Sequence, residues 1–235
     1  MHSADEHAAE HHVSRVEGER SRVLLVDDHP IVRRGLRALL EAQPDLEVCG
    51  EADDAEAAIQ AIQQTSPDVA IVDISLHAGD GLELVRQIRA RWPLPVLVLS
   101  IHDEGLYAER ALRVGASGYV MKQEATGAVV NALRHVLKGG VWLSERLSAR
   151  RLQTDVPGDS KPTDSPLGVL SDRELQVFHL ISRGCGTGEI SRALKINRKT
   201  VETHRAHIKE KLGLKTGVEL VQYAGRYQDS SKRDQ

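Results

Sequence analysis

Aromatic side chains are scarce: two Trp, four Tyr and one Phe make up 3% of the 235 residues. Cores must therefore be assembled from Leu, Val, Ile and Ala. An aromatic-lined pocket for a small organic ligand finds few residues to build it, since the first two thirds of the chain offer only Trp92, Tyr107, Tyr119 and Trp142. Cysteine is also nearly missing. Cys49 and Cys185 stand far apart, with no disulfide framework and no paired metal-ligand spacing, as expected for a reducing compartment. No apolar run approaches the ~18 residues of a membrane span, and the N-terminal stretch lacks a hydrophobic signal segment. A cytoplasmic location is the expectation.

What the chain does have is length for one large or two modest domains and an uneven charge. The net charge is −3. Residues 21–140 carry 12 Lys and Arg against 17 Asp and Glu, a balance of −5, whereas residues 166–228 carry 11 against 6, a balance of +5. An acidic part followed by a basic one points to two domains with different partners, the second suited to a polyanion.

The first 20 residues are polar, with four scattered histidines, and read as a disordered tail. From Arg22 short apolar runs alternate with helical periodicity. Val23–Val26, Leu46–Cys49, the run ending at Asp73, Val96–Leu99 and Gly118–Met121 read as strands. Ile31, Val32, Leu36, Leu39 and Leu40 recur at helical spacing after Pro30, which suits a first helical position. Ala55–Ile62, a helix opened by a capping box over Asp80–Glu83, Tyr107–Val114 and Ala125–Lys138 complete the alternation. Five strands and five helices in turn predict an α/β doubly wound parallel sheet in flavodoxin-like order. Pro, Gly, Ser and Thr then collect without periodicity, as in a linker. Beyond it Ser171–Glu174 has capping-box form. Thr187 is expected to cap a second helix, Arg198–Leu212 to form a third, and Thr216–Glu219 to cap a fourth through Tyr223. Four short helices with a tight turn between the second and third predict a helix-turn-helix domain. The division is 1–20 tail, 21–143 first domain, 144–165 linker, 166–228 second domain, 229–235 tail.

In open parallel sheets the carboxyl ends of the strands hold the ligand site. Asp27 and Asp28 follow the first strand, Asp73 ends the third, Ser100 the fourth and Lys122 the fifth. Carboxylates ~4 Å apart repel by about 4 kcal/mol per pair at an effective dielectric near 20, so the cluster needs a cation. Oxygen ligands favour Mg²⁺, which also accepts a phosphate oxygen. Asp73 is then placed as a nucleophile toward phosphorus, with Lys122 as a second fixed positive charge.

Residues 21–143 resemble a response-regulator receiver domain, through Val26-Asp27-Asp28, Asp73-Ile-Ser-Leu76, Leu99-Ser100 and Tyr119-Val-Met-Lys122. The resemblance implies that a sensor histidine kinase donates a phosphoryl group to Asp73. Asp28, Asp73 and the Ser75 carbonyl would bind Mg²⁺, assisted by Asp27. Ser100 would hydrogen-bond the phosphoryl group, and Tyr119 would turn inward as a switch. Where the family usually has Pro, this chain has His77. Ile101, larger than the usual Ala, is expected to narrow access and slow phosphoryl loss.

Residues 166–228 resemble the LuxR-type helix-turn-helix of the NarL/FixJ group, through Leu170–Leu175, Glu189–Leu194, Lys199–His204 and Lys211–Leu214. The third helix would then read the major groove. Glu202 and Thr203 would reach base edges, with Glu202 accepting from a cytosine amino group. Lys199, Arg205 and Lys209 would anchor phosphates, and Thr200 and Ala206 complete the contact set. His204 is expected to be packed, and Lys195 to sit where the turn prefers glycine. The whole reads as a non-enzymatic, DNA-binding regulator that pairs on a two-half-site promoter, with RNA polymerase a possible partner. The alternatives are a regulator that works without phosphorylation or senses a small molecule, and a dehalogenase-type phosphatase. The last would need a second Asp where Ser75 stands.

Overall fold

The computed structural model describes residues 20–76, 81–101, 104–124, 126–145, 147–149 and 166–233. The expected N-terminal tail, most of the linker, His77 and the Asp80 end of the expected capping box lie outside these residues.

Five strands, β1 (Ser21–Val26), β2 (Leu46–Ala52), β3 (Val69–Asp73), β4 (Val96–Ser100) and β5 (Gly118–Met121), form one sheet in the order β2-β1-β3-β4-β5. Every adjacent pair is parallel. Between them run α1 (Pro30–Glu41), α2 (Ala55–Thr65), α3 (Gly81–Arg91) and α4 (Glu104–Arg113), and α5 (Thr126–Leu137) follows β5. This is the flavodoxin-like order expected from the alternation. The side chains divide with the two-residue period of a strand. Leu24, Val26, Ala70, Val72, Val96 and Val98 pack with α2, α3 and α4. Val23, Leu25, Val69, Ile71, Leu97 and Leu99 pack with α1 and α5. Both faces of the central strands are therefore apolar, which is why those runs lack polar alternation.

Several details depart from expectation. β2 runs on through Gly50, Glu51 and Ala52, past Cys49. It is an edge strand with one register shift opposite Val23 and Leu24, and its polar end is held by Arg33 and Arg37 on Glu51. Ile31 is 76% exposed despite its helical spacing; Leu36 and Leu40 carry the buried stripe of α1. The chain after α5 also continues the sheet. Trp142 bridges Gly118 in parallel, its N–H donating to the Ser117 carbonyl and its carbonyl accepting from Tyr119 N–H.

The C-terminal part opens with a 3₁₀ turn (Pro166–Val169), followed by α6 (Asp172–Ser182), α7 (Thr187–Ala193), α8 (Arg198–Lys211) and α9 (Gly217–Arg233). Leu175, Phe178, Ile181, Ile190, Val201, Ile208 and Leu220 are among its buried apolar residues. The expected caps of α6 and α9 form: the Ser171 hydroxyl accepts from Glu174 N–H, and that of Thr216 from Glu219 N–H. The expected cap at Thr187 does not form. Gly186 precedes α7, the Glu189 carboxylate accepts from Gly186 N–H, and Thr187 is the first helical residue. Helix α9 continues ten residues past Tyr223 because Tyr227, one turn on, packs edge-on against Phe178 with Tyr223.

The two parts meet at α4. The Arg110 guanidinium donates to the carbonyls of Leu167 and Leu170 and to the Asp172 carboxylate, with both charged side chains mostly buried. At the other end of α4, Glu104 accepts from the Ser144 hydroxyl at 2.7 Å.

Candidate functional site

Register alone brings the first cluster together. Val26 pairs with Val72, so Asp27 lies level with Asp73. Asp73 pairs with Leu99, and Ser100 with Met121, so Ser100 and Lys122 follow in step across the sheet. Lys122 N–H donates to the Ser100 carbonyl, which ties the last two strand ends. The result is a crevice at the point where the strand order reverses.

Lys122 Nζ lies 2.6 Å from Asp27 Oδ2 and 2.8 Å from Asp73 Oδ2. The other oxygen of Asp73 accepts from Ser75 N–H at 3.0 Å. Asp73 is 1% exposed and Asp27 2%. Burial pushes the Asp73 carboxyl above its ordinary pKa, and Asp27 pushes it the same way; Lys122 and the Ser75 amide pull against them. Val69, Ala70, Ile71 and Val72 are fully buried beside it. Transfer from water stabilises each larger side chain by about 1.5–3 kcal/mol, and the buried carboxylate keeps partners in Lys122 and the Ser75 amide.

Asp27, Asp28, His29 and Asp73 each offer a ligand atom, and these atoms all lie within 4.8 Å of one another. The imidazole is an addition that sequence reasoning missed, because His29 reads there only as a residue before a helix. Its Nδ1 stands 2.6 Å from Asp28 Oδ1. The same nitrogen lies 3.3 Å from Asp27 Oδ1, so the imidazole stands against both leading carboxylates. Three of the four groups are carboxylates, and an oxygen-rich donor set suits a hard divalent cation such as Mg²⁺. Receiver domains in general bind Mg²⁺ in such an acidic pocket. Ser100 and Tyr119 are buried, Tyr119 with its ring in the core beside α4, while Ile101 stands 54% exposed directly after Ser100.

Gly81 was also missed. A Cβ there would come within 2.2 Å of the Asp73 carbonyl oxygen and 2.6 Å of Ile74 Cα, and Gly81 N–H donates to the Ile74 carbonyl. The start of α3 thus rests directly on the backbone of the central acid. A single glycine at a helix start was the only signal in the sequence.

The second cluster is α8. Val201 and Ile208 are buried, while Lys199, Glu202, Thr203 and Ala206 are exposed and Lys209 half-buried. The helix begins on Asn197, whose side chain accepts from Thr200 N–H at 2.7 Å and from the Thr200 hydroxyl at 3.0 Å. Thr200 therefore serves the cap as well as the face. The Thr203 hydroxyl donates to the Lys199 carbonyl. Arg205 is turned along its own helix, 3.8 Å from Glu202, with its side chain only 17% exposed. His204 is partly enclosed, and burial lowers its pKa, helped by Arg173 and His207. Lys195 has φ 49°, the left-handed conformation foreseen for it.

A family model for the response regulator receiver domain matches residues 23–134, and one for bacterial regulatory proteins of the luxR family matches residues 168–224. The oxygen regulatory protein NreC of Staphylococcus carnosus (strain TM300) is 36% identical over 208 residues, spanning 86% of this chain and 96% of its own length. Among solved structures, RcsB from Salmonella enterica serovar Typhimurium, bound to promoter rprA in the presence of phosphomimetic BeF₃⁻, is 28% identical. It covers 88% of this chain and 99% of its own, with TM-score 0.57. A LuxR-family two-component response regulator from Aurantimonas sp. SI85-9A1 is 34% identical, covering 57% of this chain and 97% of its own, with TM-score 0.54.

Proposed function

Since the chain belongs to the two-component response regulators of the NarL/FixJ group, which join a receiver domain to a LuxR-type helix-turn-helix, we propose that Asp73 is the residue that takes the phosphoryl group. Proteins of this family are transcription regulators and not enzymes, and they act under a sensor histidine kinase on promoter DNA. The observation that carries the assignment is the meeting of Asp27, Asp28, Asp73 and Lys122 at adjoining strand ends.

In the proposed step a carboxylate oxygen of Asp73 attacks phosphorus while the bond to the kinase histidine nitrogen breaks, leaving an aspartyl phosphate and a free imidazole. Lys122 Nζ, already on Asp73, moves with the incoming charge onto a phosphoryl oxygen. The Ser75 amide holds the second carboxylate oxygen and so fixes the plane of the nucleophile. Asp27, Asp28, Asp73 and the Ser75 carbonyl would hold Mg²⁺, which neutralises phosphoryl charge when bound. The Ser100 hydroxyl would receive a phosphoryl oxygen, and Tyr119, already inward, would lock the accompanying shift of β4 and β5.

The domain division we propose is 21–143, 144–165 and 166–228. On DNA, Lys199, Arg205 and Lys209 would hold phosphates, and Glu202 and Thr203 would read base edges, with Thr200 and Ala206 on the approaching face. Two chains would pair on a two-half-site operator in the cytoplasm, within reach of RNA polymerase. Among the described residues no helix is long and apolar enough to cross a membrane.

The deciding experiment incubates wild type and Asp73→Ala with acetyl phosphate and Mg²⁺, following phosphoprotein and DNA binding together. Phosphorylation and tighter DNA binding in the wild type alone are expected. Equal DNA affinity in all samples would favour a regulator that works without phosphorylation.

A further inference from the structure

The Thr187 hydroxyl, freed from the capping role by Gly186 and Glu189, donates across to Glu202 Oε1 at 2.6 Å. Glu202 Oε2 lies 3.8 Å from Arg205 Nε. One carboxylate is thus oriented from two sides, by the first residue of the scaffold helix α7 and by a cation one turn along its own helix. We infer that Thr187 is a specificity-determining positioning residue, which presents the Glu202 carboxylate to the amino edge of a cytosine in the major groove. The inference rests on Glu202 being a base contact, as proposed above.

Three physical points support it. A carboxylate is acceptor-only, so at a base edge it recognises an exocyclic amine, and a cytosine amino group is its usual partner. A glutamate on an open helix face otherwise samples many rotamers, and ordering it at the moment of binding opposes binding. Glu202 is 59% exposed, yet it is already held before DNA arrives. A carboxylate entering a groove walled by phosphates also meets repulsion, which Arg205 offsets at close range. The donor is on a firm mount. Ile190 of α7 is buried in the same core as Val201, and the Ser191 hydroxyl donates to the Ile196 carbonyl across the intervening turn.

The test uses the full chain. An operator is selected from a random library with the wild type, and each half-site position is then varied through the four base pairs. Affinities are measured for wild type, Thr187→Val, Thr187→Ser and Glu202→Gln. Thr187→Val is expected to flatten the preference at one position per half-site by about three- to tenfold, leaving the other positions and the salt dependence unchanged. Thr187→Ser is expected to keep the wild-type preference, and Glu202→Gln to move the same position away from cytosine and toward adenine. If Glu202→Gln alters no base preference, the reading of Glu202 as a base contact fails. If it does while Thr187→Val leaves that position as in the wild type, the role given to Thr187 alone is overturned. A uniform loss over all sequences in Thr187→Val, with a lowered melting temperature, also overturns it in favour of a merely structural bond.

Discussion

Gly81 and Lys195 show opposite uses of one backbone property. At Gly81 the absent Cβ is what lets α3 start against the carbonyl of Asp73. Gly81→Ala should therefore cost about 1–3 kcal/mol through forced backbone movement, and it should slow phosphorylation of Asp73. Urea unfolding and the acetyl phosphate time course would measure both. Gly35→Ala is the control: nothing lies within 4 Å of its added Cβ, and in a helix interior it should stabilise by about 0.5–1 kcal/mol. Lys195 carries a side chain where φ is 49°. Lys195→Gly should relieve that conformation and stabilise the DNA-binding part by about 0.5–1 kcal/mol, seen as a higher urea midpoint for that part of the full chain.

At the scale of the element, Glu174 joins two helices of the C-terminal core. It closes the capping box of α6 by accepting from Ser171 N–H, and it accepts from Lys211 Nζ at the end of α8 at 2.7 Å. Burial by itself would raise its pKa, but Lys211 and the Ser171 donors outweigh burial and hold it below the ordinary glutamate value. The folded form thus binds the proton less readily than the unfolded one. This contribution is present above the unfolded pKa and is lost as pH falls through the folded one. Melting temperatures from pH 7 to pH 3 should show wild type losing its advantage over Glu174→Gln in the acid part of that range. A constant difference between the two proteins would contradict this. His204, half-buried on α8, was legible as a packed residue rather than a base contact. The Lys211 bond was not, because the partners are 37 residues apart.

At the scale of the molecule, α4 is fastened at both ends. Glu104 takes the Ser144 hydroxyl of the segment after α5, and Arg110 grips the start of the DNA-binding part through two carbonyls and Asp172. Exposed ion pairs contribute little, but these side chains are 15% and 18% exposed, and two carbonyl acceptors share the guanidinium. Arg110→Ala should leave phosphorylation of Asp73 intact and release the second domain. Small-angle scattering should then give a larger radius of gyration for the variant than for the wild type. An unchanged radius would show that the contact does not hold the domains together.

Sheet order and the gathering of the strand-end carboxylates with Lys122 were legible along the chain, because buried parallel strands leave uninterrupted apolar runs and their polar ends follow at once; His29 and Gly81 were not. Asp27, Asp73, Ser100 and Lys122 needed only that pattern. The capping box of α6 and the Thr216 cap of α9 were equally local, since their partners lie three residues apart. What tertiary structure alone decided are the bonds whose partners come from separate elements: Lys122 shared between Asp27 and Asp73, Gly81 beneath Asp73, Thr187 on Glu202, and Arg110 on the second domain. A residue's chemistry and its spacing to near neighbours are written in order along the chain. Which distant group it meets depends on how whole elements pack, and at Thr187 that packing turned an expected cap into a cross-helix hydrogen bond.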